Sequence, residues 1–405
     1  VGLTRRAAIA VAALMIGANP MGCTPKGQPT EPPPPRSGVL NVPSEYPTIR
    51  AAIAAAIDGD TIRIAKGRYR GYGNTDLDPL GKAILITGED DPDSTIIDCR
   101  LDDGRLRHGF LITRGEGGQT EIERLTITGS GDGGDGLGTA ITCRHASPSF
   151  RYCVIRGNGG GVINLWASTA HFYRCRIQGN STTNGEAIIG CRESSPTFLA
   201  CQISSNVTWD RPVVDCNQSH IEFRECRLER NVNLRGAGGG AIGLERSTAL
   251  MIQTTIAKNS CRGVFGSGGA VYLGMSSSID IRLSTIVENS AQSSGGAILA
   301  NGLTTALITQ SIVRSNCAPE YSNIEADPAA TILVNASAVD TSRVGGGGQF
   351  IYEGKLVTGD PMFCRASGCN PALESDYHLQ PGSPCVGDPW MGAFRVGCEG
   401  SEPVR

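Results

Sequence analysis

The hexapeptide Cys153-Val154-Ile155-Arg156-Gly157-Asn158 decides the fold, because its pattern recurs along the chain. The pattern is a thiol or small residue, an aliphatic residue two places later and an asparagine three places after that. It returns with first residues Cys175, Cys201, Cys226, Thr254, Ser284 and Ser311. The asparagines are 22, 26, 25, 28, 30 and 27 residues apart, which indicates one structural unit stacked on copies of itself.

Each repeat contains two further apolar positions. Eight residues before the asparagine stands a bulky apolar side chain: Phe150, Phe172, Phe198, Phe223, Met251, Ile281 or Ile308. Upstream of it, each unit opens with a small or aliphatic pair such as Ala241-Ile242 or Ala270-Val271. A unit therefore has three short apolar stretches, separated by glycine, serine, proline or polar residues.

The spacing of these stretches predicts an all-β protein built as a parallel β-helix. Inward and outward positions alternate within each stretch, as in a strand, and no unit has ten residues with helical periodicity. That excludes leucine-rich, ankyrin and tetratricopeptide repeats, and a propeller blade needs roughly 40 or more residues. Three strands in about 22 to 30 residues fit a coil whose strands pair with their equivalents above and below.

Stacking explains the choice of asparagine. Equivalent side chains of adjacent coils lie about 4.8 Å apart, so like residues form ladders along the axis. Asparagine tolerates left-handed backbone angles, and its amide can both donate to and accept from the next asparagine. We therefore expect a corner ladder with these members: Asn158, Asn180, Asn206, Asn231, Asn259, Asn289 and Asn316.

Two stretches carry a resemblance to known families. The segment 42–53, VPSEYPTIRAAI, with Asp58-Gly59-Asp60 and Gly67-Arg68-Tyr69 after it, resembles the N-terminal segment of bacterial right-handed parallel β-helix proteins of the pectin-lyase-like superfamily. The units with Gly-Gly-Ala-Ile or Gly-Gly-Ala-Val and a downstream asparagine resemble repeats of the chlamydial polymorphic outer-membrane proteins. These motifs are structural, so the resemblance implies a right-handed helix and says little about function.

The N-terminal residues predict export. Residues 1–22 carry Arg5-Arg6 and then a short apolar stretch, as in a signal peptide. Cys23 after Gly22 resembles a lipoprotein cleavage site, although the two residues before Gly22 depart from that pattern. Ordinary secretion stays open as the alternative. The proline-rich residues 23–38 predict a tether that holds the domain off a membrane.

The domain itself is predicted to be single, with a cap at each end. Apolar residues at helical spacing, Ile49, Ile53 and Ile57, predict a helix that covers the first coil. Residues 39–340 are assigned to the β-helix. Residues 341–405 are assigned to an irregular C-terminal cap of the same domain, because Gly345–Gly348 breaks the repeat.

The fifteen cysteines divide into two groups. Those inside the repeats suit small apolar core positions, and disulfides or metal binding are the alternatives. No Cys-x-x-Cys or histidine pair at ligand spacing occurs, so we predict no metal and no cofactor. In the exported C-terminal segment we predict two disulfides, Cys364 with Cys369 and Cys385 with Cys398.

Residues that could carry out chemistry are few, and no catalytic residue is predicted. Trp166, His171, Tyr173 and Trp209 fall in neighbouring coils and could form a stacking platform for sugar rings, with ordinary surface aromatics as the alternative. The net charge of −3 gives no support for a nucleic-acid partner. We expect a monomer that meets a membrane only through a lipid anchor.

Two classes of function stay open. The first is an exported, lipid-anchored protein of the cell envelope that binds a glycan or cell-surface partner, or has a structural role, without enzymatic activity. The second, suggested by the fold resemblance, is a carbohydrate-active enzyme of lyase or epimerase type that acts on acidic polysaccharide. Carboxylates that converge with arginine or lysine in one groove of adjacent coils would favour the enzyme.

Overall fold

The computed structural model describes residues 38–101, 103–131, 139–183 and 185–398. The predicted signal peptide, Cys23 and almost all of the predicted tether lie outside these residues. Within them, no helix is long and apolar enough to cross a membrane.

Three long parallel sheets, here called A, B and C, form the walls of a solenoid. Sheet A contains Val39–Val42, Thr61–Ile64, Leu85–Gly88, Glu121–Glu123, Ser149–Arg151, His171–Tyr173, Thr197–Leu199, His220–Arg224, Thr248–Ile252, Ser278–Arg282, Thr305–Thr309, Thr331–Asn335 and Gln349–Glu353. Sheet B contains Gly67–Tyr69, Thr95–Asp98, Thr126–Thr128, Val154–Arg156, Arg176–Gln178, Gln202–Ser204, Arg227–Glu229, Thr255–Ala257, Thr285–Val287, Ile312–Arg314 and Ala338–Val339. Sheet C contains Phe110–Ile112, Ile141–Arg144, Ile163–Trp166, Ile189–Arg192, Val214–Asn217, Ile242–Glu245, Val271–Gly274, Ile298–Ala300, Ile324–Ala326 and Val344–Gly346.

Smaller elements decorate this core. Sheet D is a parallel ladder in the loops between sheets B and C, made of Val207–Thr208, Val232–Asn233, Ser260–Cys261 and Ser290–Ala291. Sheet E is an antiparallel pair near the C-terminus, Phe363–Arg365 with Asp376–Leu379. The helix α1 spans Ile49–Ala55, and two short 3₁₀ turns span Pro92–Ser94 and Thr341–Arg343.

Strand pairing confirms the predicted fold class. Each strand of sheets A, B and C pairs in parallel with the equivalent strand of the next coil, as in Phe150 with Phe172 and Ile155 with Ile177. The side chains that face inward stack on one another because equivalent positions are one strand spacing apart. The rings of Phe150, Phe172, Phe198 and Phe223 lie 5.1, 4.8 and 5.3 Å apart between centroids, and all four are buried.

The seven asparagines form a hydrogen-bonded ladder. The Nδ2 of Asn180 donates to Oδ1 of Asn206 at 2.9 Å, and the Oδ1 of Asn180 accepts from Nδ2 of Asn158 at 3.0 Å. The same Nδ2 also donates to the carbonyl oxygen of Ile155 at 3.0 Å. Similar bonds continue to Asn316, so the ladder saturates polar groups at the edge of an apolar core.

The left-handed corner lies one residue earlier than the sequence suggests. The positive φ belongs to the residue before each asparagine, which is Gly157, Gly179, Ser205, Arg230, Lys258, Glu288 or Ser315. The asparagine side chain instead accepts from the backbone N–H and side-chain amide of the preceding coil's asparagine. Three of these residues, Arg230, Lys258 and Glu288, are charged, and the left-handed backbone costs each of them about 1 kcal/mol. Contacts made by their side chains have to compensate for this strain.

Helix α1 begins after Thr48, whose Oγ1 accepts from the backbone N–H of Ala51. Ile49, Ala52 and Ile53 are buried against the first coil. Ile57, in contrast, is 63% exposed. The helix ends at Ala55, so the third isoleucine of the pattern no longer lies on its apolar face.

The solenoid extends beyond the predicted boundary at residue 340. Val344–Gly346 is the last strand of sheet C, and Gln349–Glu353 the last strand of sheet A. The glycines do not break the stack. They let neighbouring groups approach closely: a Cβ at Gly345 would lie 2.1 Å from the ring of Tyr321, and one at Gly346 would lie 2.2 Å from a carbonyl oxygen. These glycines are therefore required by close packing.

The C-terminal segment packs along the side of the solenoid. Val287 and Ile312, which face outward from sheet B, form an apolar cluster with Phe363, Tyr377 and Met391. The outer face of sheet B is therefore covered in these coils. Such a contact cannot be read from the repeat, because it joins residues that are far apart in the chain.

The predicted disulfide partners are wrong. Cys317 pairs with Cys369, and Cys364 pairs with Cys398, whereas Cys385 is a free, buried thiol. The prediction paired cysteines that are near in sequence. The tail folds back against the coils, which brings Cys369 to a corner of the solenoid and leaves Cys385 in the second apolar cluster.

The free thiols provide a test of the packed core. Ten described cysteines are free and buried, and burial raises the pKa of the Cys261 thiol to about 12. Because the thiolate is the reactive form, we expect none of the ten to react with Ellman's reagent within minutes in the folded protein, and all to react after unfolding. A cysteine introduced at the exposed Thr169 should react at once and serves as the control. Rapid reaction of several native thiols would contradict the described packing.

Candidate functional site

The predicted aromatic platform is not assembled. Trp166 ends a strand of sheet C, His171 and Tyr173 lie on the outer face of sheet A, and Trp209 follows a strand of sheet D. The chain turns a corner at Ala167, where φ is 49°, which separates Trp166 from His171. These four residues therefore occupy three different surfaces of the solenoid.

Three of the four carry an arginine on the ring instead. The guanidinium carbon of Arg144 lies 5.1 Å from the Trp166 ring centroid, and that of Arg235 lies 4.2 Å from Trp209. Arg151 and Arg174 lie 5.5 and 5.3 Å from Tyr173. The hydrogen bond of His171 Nδ1 to Thr197 Oγ1, 2.7 Å, ties that ring to the next coil. Arginines therefore compete with any sugar ring for the aromatic faces.

The outer face of sheet C brings together a different set of polar residues. In the strand register, Gly243 pairs with Asp215 on one side and with Tyr272 on the other. Glu245 lies two residues after Gly243 and pairs with Asn217, which lies two residues after Asp215. The side chains of Asp215, Glu245 and Tyr272 thus share one face on three successive coils. Gly243 adds no side chain between Asp215 and Tyr272, and Pro212 lies over it.

Asp215 is a partly buried carboxylate. The Nη1 of Arg211, in the loop before the strand, donates to its Oδ2 at 2.9 Å. Burial raises the pKa of Asp215; the positive charges of Arg211 and Arg192 oppose that rise, and the negative charge of Glu186 adds to it. The net effect is an upward shift, so removal from water outweighs the arginines.

Glu245 lies one coil further along. Burial raises the pKa of Glu245, and the negative charge of Asp215 raises it further. Its Oε2 atom is buried and has no hydrogen-bond partner among the described residues. A Cβ at Gly274 would lie 2.6 Å from its Oε1, so glycine at that position makes room for the carboxylate.

Tyr272 completes the set. Burial raises the pKa of its phenol, and the charge of Glu245 adds to the effect. Its hydroxyl accepts from Nδ2 of Asn301 at 3.5 Å, a long hydrogen bond. A Cβ at Gly238 would lie 2.7 Å from the Tyr272 ring, so a glycine-rich loop packs directly against it.

These residues form what we call the sheet C site: Asp215, Glu245, Tyr272, Arg211 and Arg192. Two carboxylates with raised pKa values on adjacent coils are able to exchange protons with a ligand, and the arginines can bind its oxygen atoms. The sequence contains one signal of this site: Gly243 stands two residues before Glu245, and Gly274 stands two residues after Tyr272. Among the described residues, no group of three or more His, Cys, Asp and Glu side chains is arranged to hold a metal ion.

The raised pKa of Glu245 predicts an effect on stability. A carboxylate whose pKa is higher in the folded protein is more costly to ionise there than in the unfolded chain. Stability is therefore reduced at pH values above the pKa that Glu245 has in the folded protein. It is recovered as the pH falls towards the pKa that Glu245 has in the unfolded chain. We expect Glu245→Gln to raise the free energy of unfolding at pH 7 by less than about 1 kcal/mol, and the melting temperature with it. The gain should vanish near pH ~3.5, where both states are protonated.

The control for this measurement is Glu222→Gln on sheet A. Glu222 pairs with Arg224 there, so the substitution removes an ion pair and should give no gain. Thermal unfolding of both variants at the two pH values checks the prediction. A Glu245→Gln variant that is less stable at pH 7 would show that the carboxylate has a partner.

Comparison with protein-family models agrees with the solenoid. Residues 82–250 match the family described as right handed beta helix region, which assigns the handedness of the coil. The comparison with curated proteins finds no match. A solved structure described as "Crystal structure of pectate lyase Pel9A" is similar, with a TM-score of 0.39, 11% sequence identity, and coverage of 89% of this chain and 97% of that chain.

Proposed function

We propose that this protein is a carbohydrate-active enzyme in which an extended glycan chain lies on the outer face of sheet C and is cleaved between Asp215 and Glu245. The observation that carries the proposal is the carboxylate pair on adjacent coils, with Arg211 and Arg192 beside it. Carboxylates that converge with arginines favour the enzyme over a purely structural role. Hydrolysis by two carboxyl groups is the reaction class that such a pair suits.

The two carboxyl groups differ in their surroundings, which suggests their roles. Glu245 has a buried oxygen without a partner, so it is the better proton donor to a leaving oxygen atom. Asp215 is held by Arg211 at 2.9 Å and is the better base or nucleophile. In the register, the Cα atoms of Asp215 and Glu245 are one strand spacing apart across the sheet and two residues apart along it. The distance between them is about 8 Å. Side chains at that distance can flank one glycosidic bond.

The charges favour a neutral substrate over an acidic one. With Glu245 protonated as the proton donor, Asp215, Glu186 and Asp327 bring three negative charges. Arg192, Arg211 and Arg246 bring three positive charges. The face therefore offers a polyanion no net attraction, so we infer a neutral polysaccharide. This differs from the acidic substrate that the fold resemblance implies.

Export and lipidation rest on the sequence alone. Residues 1–22 suit a signal peptide, and Cys23 suits a lipid attachment site before a proline-rich tether. Mass spectrometry of the mature N-terminus should find diacylated Cys23. A mature chain that begins elsewhere with a free amino group would reject the anchor.

The activity is tested on a panel of neutral and acidic polysaccharides, with release of reducing ends as the readout. We expect Glu245→Gln to lose at least 100-fold in rate while it still binds the chain, and Asp215→Asn to behave similarly. Glu222→Gln, on sheet A, should keep the wild-type rate. Binding without cleavage by the wild-type protein would reject catalysis and favour a non-enzymatic envelope role. Absence of both would reject the sheet C site.

A further inference from the structure

A cavity lies between the outer face of sheet B and the C-terminal segment. We call it the tail cavity; its volume is about 190 Å³. Arg227 and Glu229 form its floor, and Asp376, His378 and Phe394 form its wall. It is smaller than the clefts of roughly 300 to 1,000 Å³ that hold drug-sized ligands, so its occupant is a small molecule.

The wall holds an oriented histidine. The Nδ1 of His378 is 2.6 Å from Oδ1 of Asp376, whose side chain is nearly fully buried, and the backbone N–H of His378 donates to the same oxygen. The His378 ring lies 5.0 Å from the Phe394 ring, and 41% of its side chain is exposed. Because Nδ1 is engaged by the carboxylate, Nε2 is the ring nitrogen that remains for a ligand.

The floor holds an arginine and a glutamate that are not paired. Arg227 stacks on Phe394, with its guanidinium carbon 5.4 Å from the ring centroid. Arg230, in contrast, binds Glu374 at 2.8 Å. Among the described residues, neither Arg227 nor Glu229 forms an ion pair within 4 Å or a side-chain hydrogen bond. The cavity therefore offers a guanidinium fork and a carboxylate acceptor.

The balance of charge limits the ligand. Of the three cations in the lining, Arg230 is paired with Glu374 and Lys258 with Glu288. Among the described residues, Arg227 is the cation of this cavity that forms no ion pair within 4 Å. Its one guanidinium group matches a ligand with a single negative charge, and a phosphate ester with two is not matched.

We propose that the tail cavity binds a small hydroxycarboxylate. Its carboxylate pairs with Arg227, because planar guanidinium groups bind carboxylates through two parallel hydrogen bonds. Its hydroxyl groups donate to Glu229 and to Nε2 of His378, which is a hydrogen-bond acceptor when Nδ1–H donates to Asp376. The site is formed only when the C-terminal segment is packed on sheet B, and it is separate from the sheet C site.

The test uses calorimetric titration of the full chain with sodium D-gluconate. We expect saturable binding that weakens at least tenfold in Arg227→Gln and in His378→Gln. Arg176→Gln is the matched control, because Arg176 stands in the same outward position of sheet B and pairs with Asp93. It should bind gluconate as the wild type does, and so should Asp215→Asn. Equal melting temperatures verify that the variants are folded.

Three results would overturn the proposal. One is no saturable heat with gluconate. Another is an Arg227→Gln variant that binds as tightly as the wild type. The third is binding of glucose or of glycerol 3-phosphate as tight as that of gluconate, which would show that a single negative charge is not what the cavity selects.

Discussion

Replacing Asn180 with alanine is expected to lower the free energy of unfolding by about 3 to 5 kcal/mol. Asn180 is 1% exposed and has an asparagine of the ladder on each side, Asn158 and Asn206. Its loss leaves the backbone N–H of Asn158 without its acceptor and the carbonyl oxygen of Ile155 without its side-chain donor. The side-chain amide of Asn158 loses one of its three acceptors. Buried polar groups without partners each cost about 1 to 3 kcal/mol, because water cannot reach them.

The matched control is Gln178→Ala. Gln178 belongs to the same coil, two residues before Asn180, and its amide faces outward from sheet B. We expect its removal to change stability by less than about 0.5 kcal/mol. Guanidinium unfolding followed by circular dichroism compares the two variants. A loss below about 1 kcal/mol for Asn180→Ala would mean that the ladder contributes little to stability.

Replacing Glu288 with alanine is expected to detach the C-terminal segment and to cost about 3 to 5 kcal/mol. Its carboxylate is fully buried and accepts from the backbone N–H of Gly368 at 2.7 Å and from the hydroxyls of Ser375 and Tyr377 at 2.8 Å. It also lies 3.5 Å from Nζ of Lys258, which is buried as well. Without Glu288, a buried ammonium group remains without its counter-charge.

Hydrogen exchange distinguishes this local effect from general unfolding. Amides in residues 364–378 should lose protection in Glu288→Ala while the Phe150 to Phe223 core keeps it. Glu222→Ala on sheet A, another ion-paired carboxylate but a more exposed one, should cost less than about 1 kcal/mol. Unchanged protection of residues 364–378 would show that the apolar cluster and the disulfides hold the segment without Glu288.

The contacts of Glu288 also explain the residues at the corners. Arg230, Lys258 and Glu288 occupy left-handed positions that Gly157 and Gly179 occupy in earlier coils. Their side chains reach the C-terminal segment: Arg230 binds Glu374, Lys258 binds Ser367, and Glu288 binds Tyr377. The strain at these corners is therefore compensated by the contacts that fasten the tail to sheet B.

The candidate sites were harder to predict than the fold. The sequence pointed to Trp166, His171, Tyr173 and Trp209 because they fall in neighbouring coils. The sheet C site consists of ordinary residues, and only the register places Asp215, Glu245 and Tyr272 on one face. Their raised pKa values arise from burial and mutual charge, which depend on loops whose lengths vary from coil to coil.

The sequence by itself determined the solenoid, its repeat and the asparagine ladder. Each coil contacts equivalent residues of its neighbours, so the pattern repeats at a nearly constant distance along the chain. Tertiary structure alone decided the disulfide partners, the packing of the tail on sheet B and both candidate sites. These depend on single contacts between residues up to 144 positions apart, such as Arg230 with Glu374, and such contacts leave no periodic trace in the sequence.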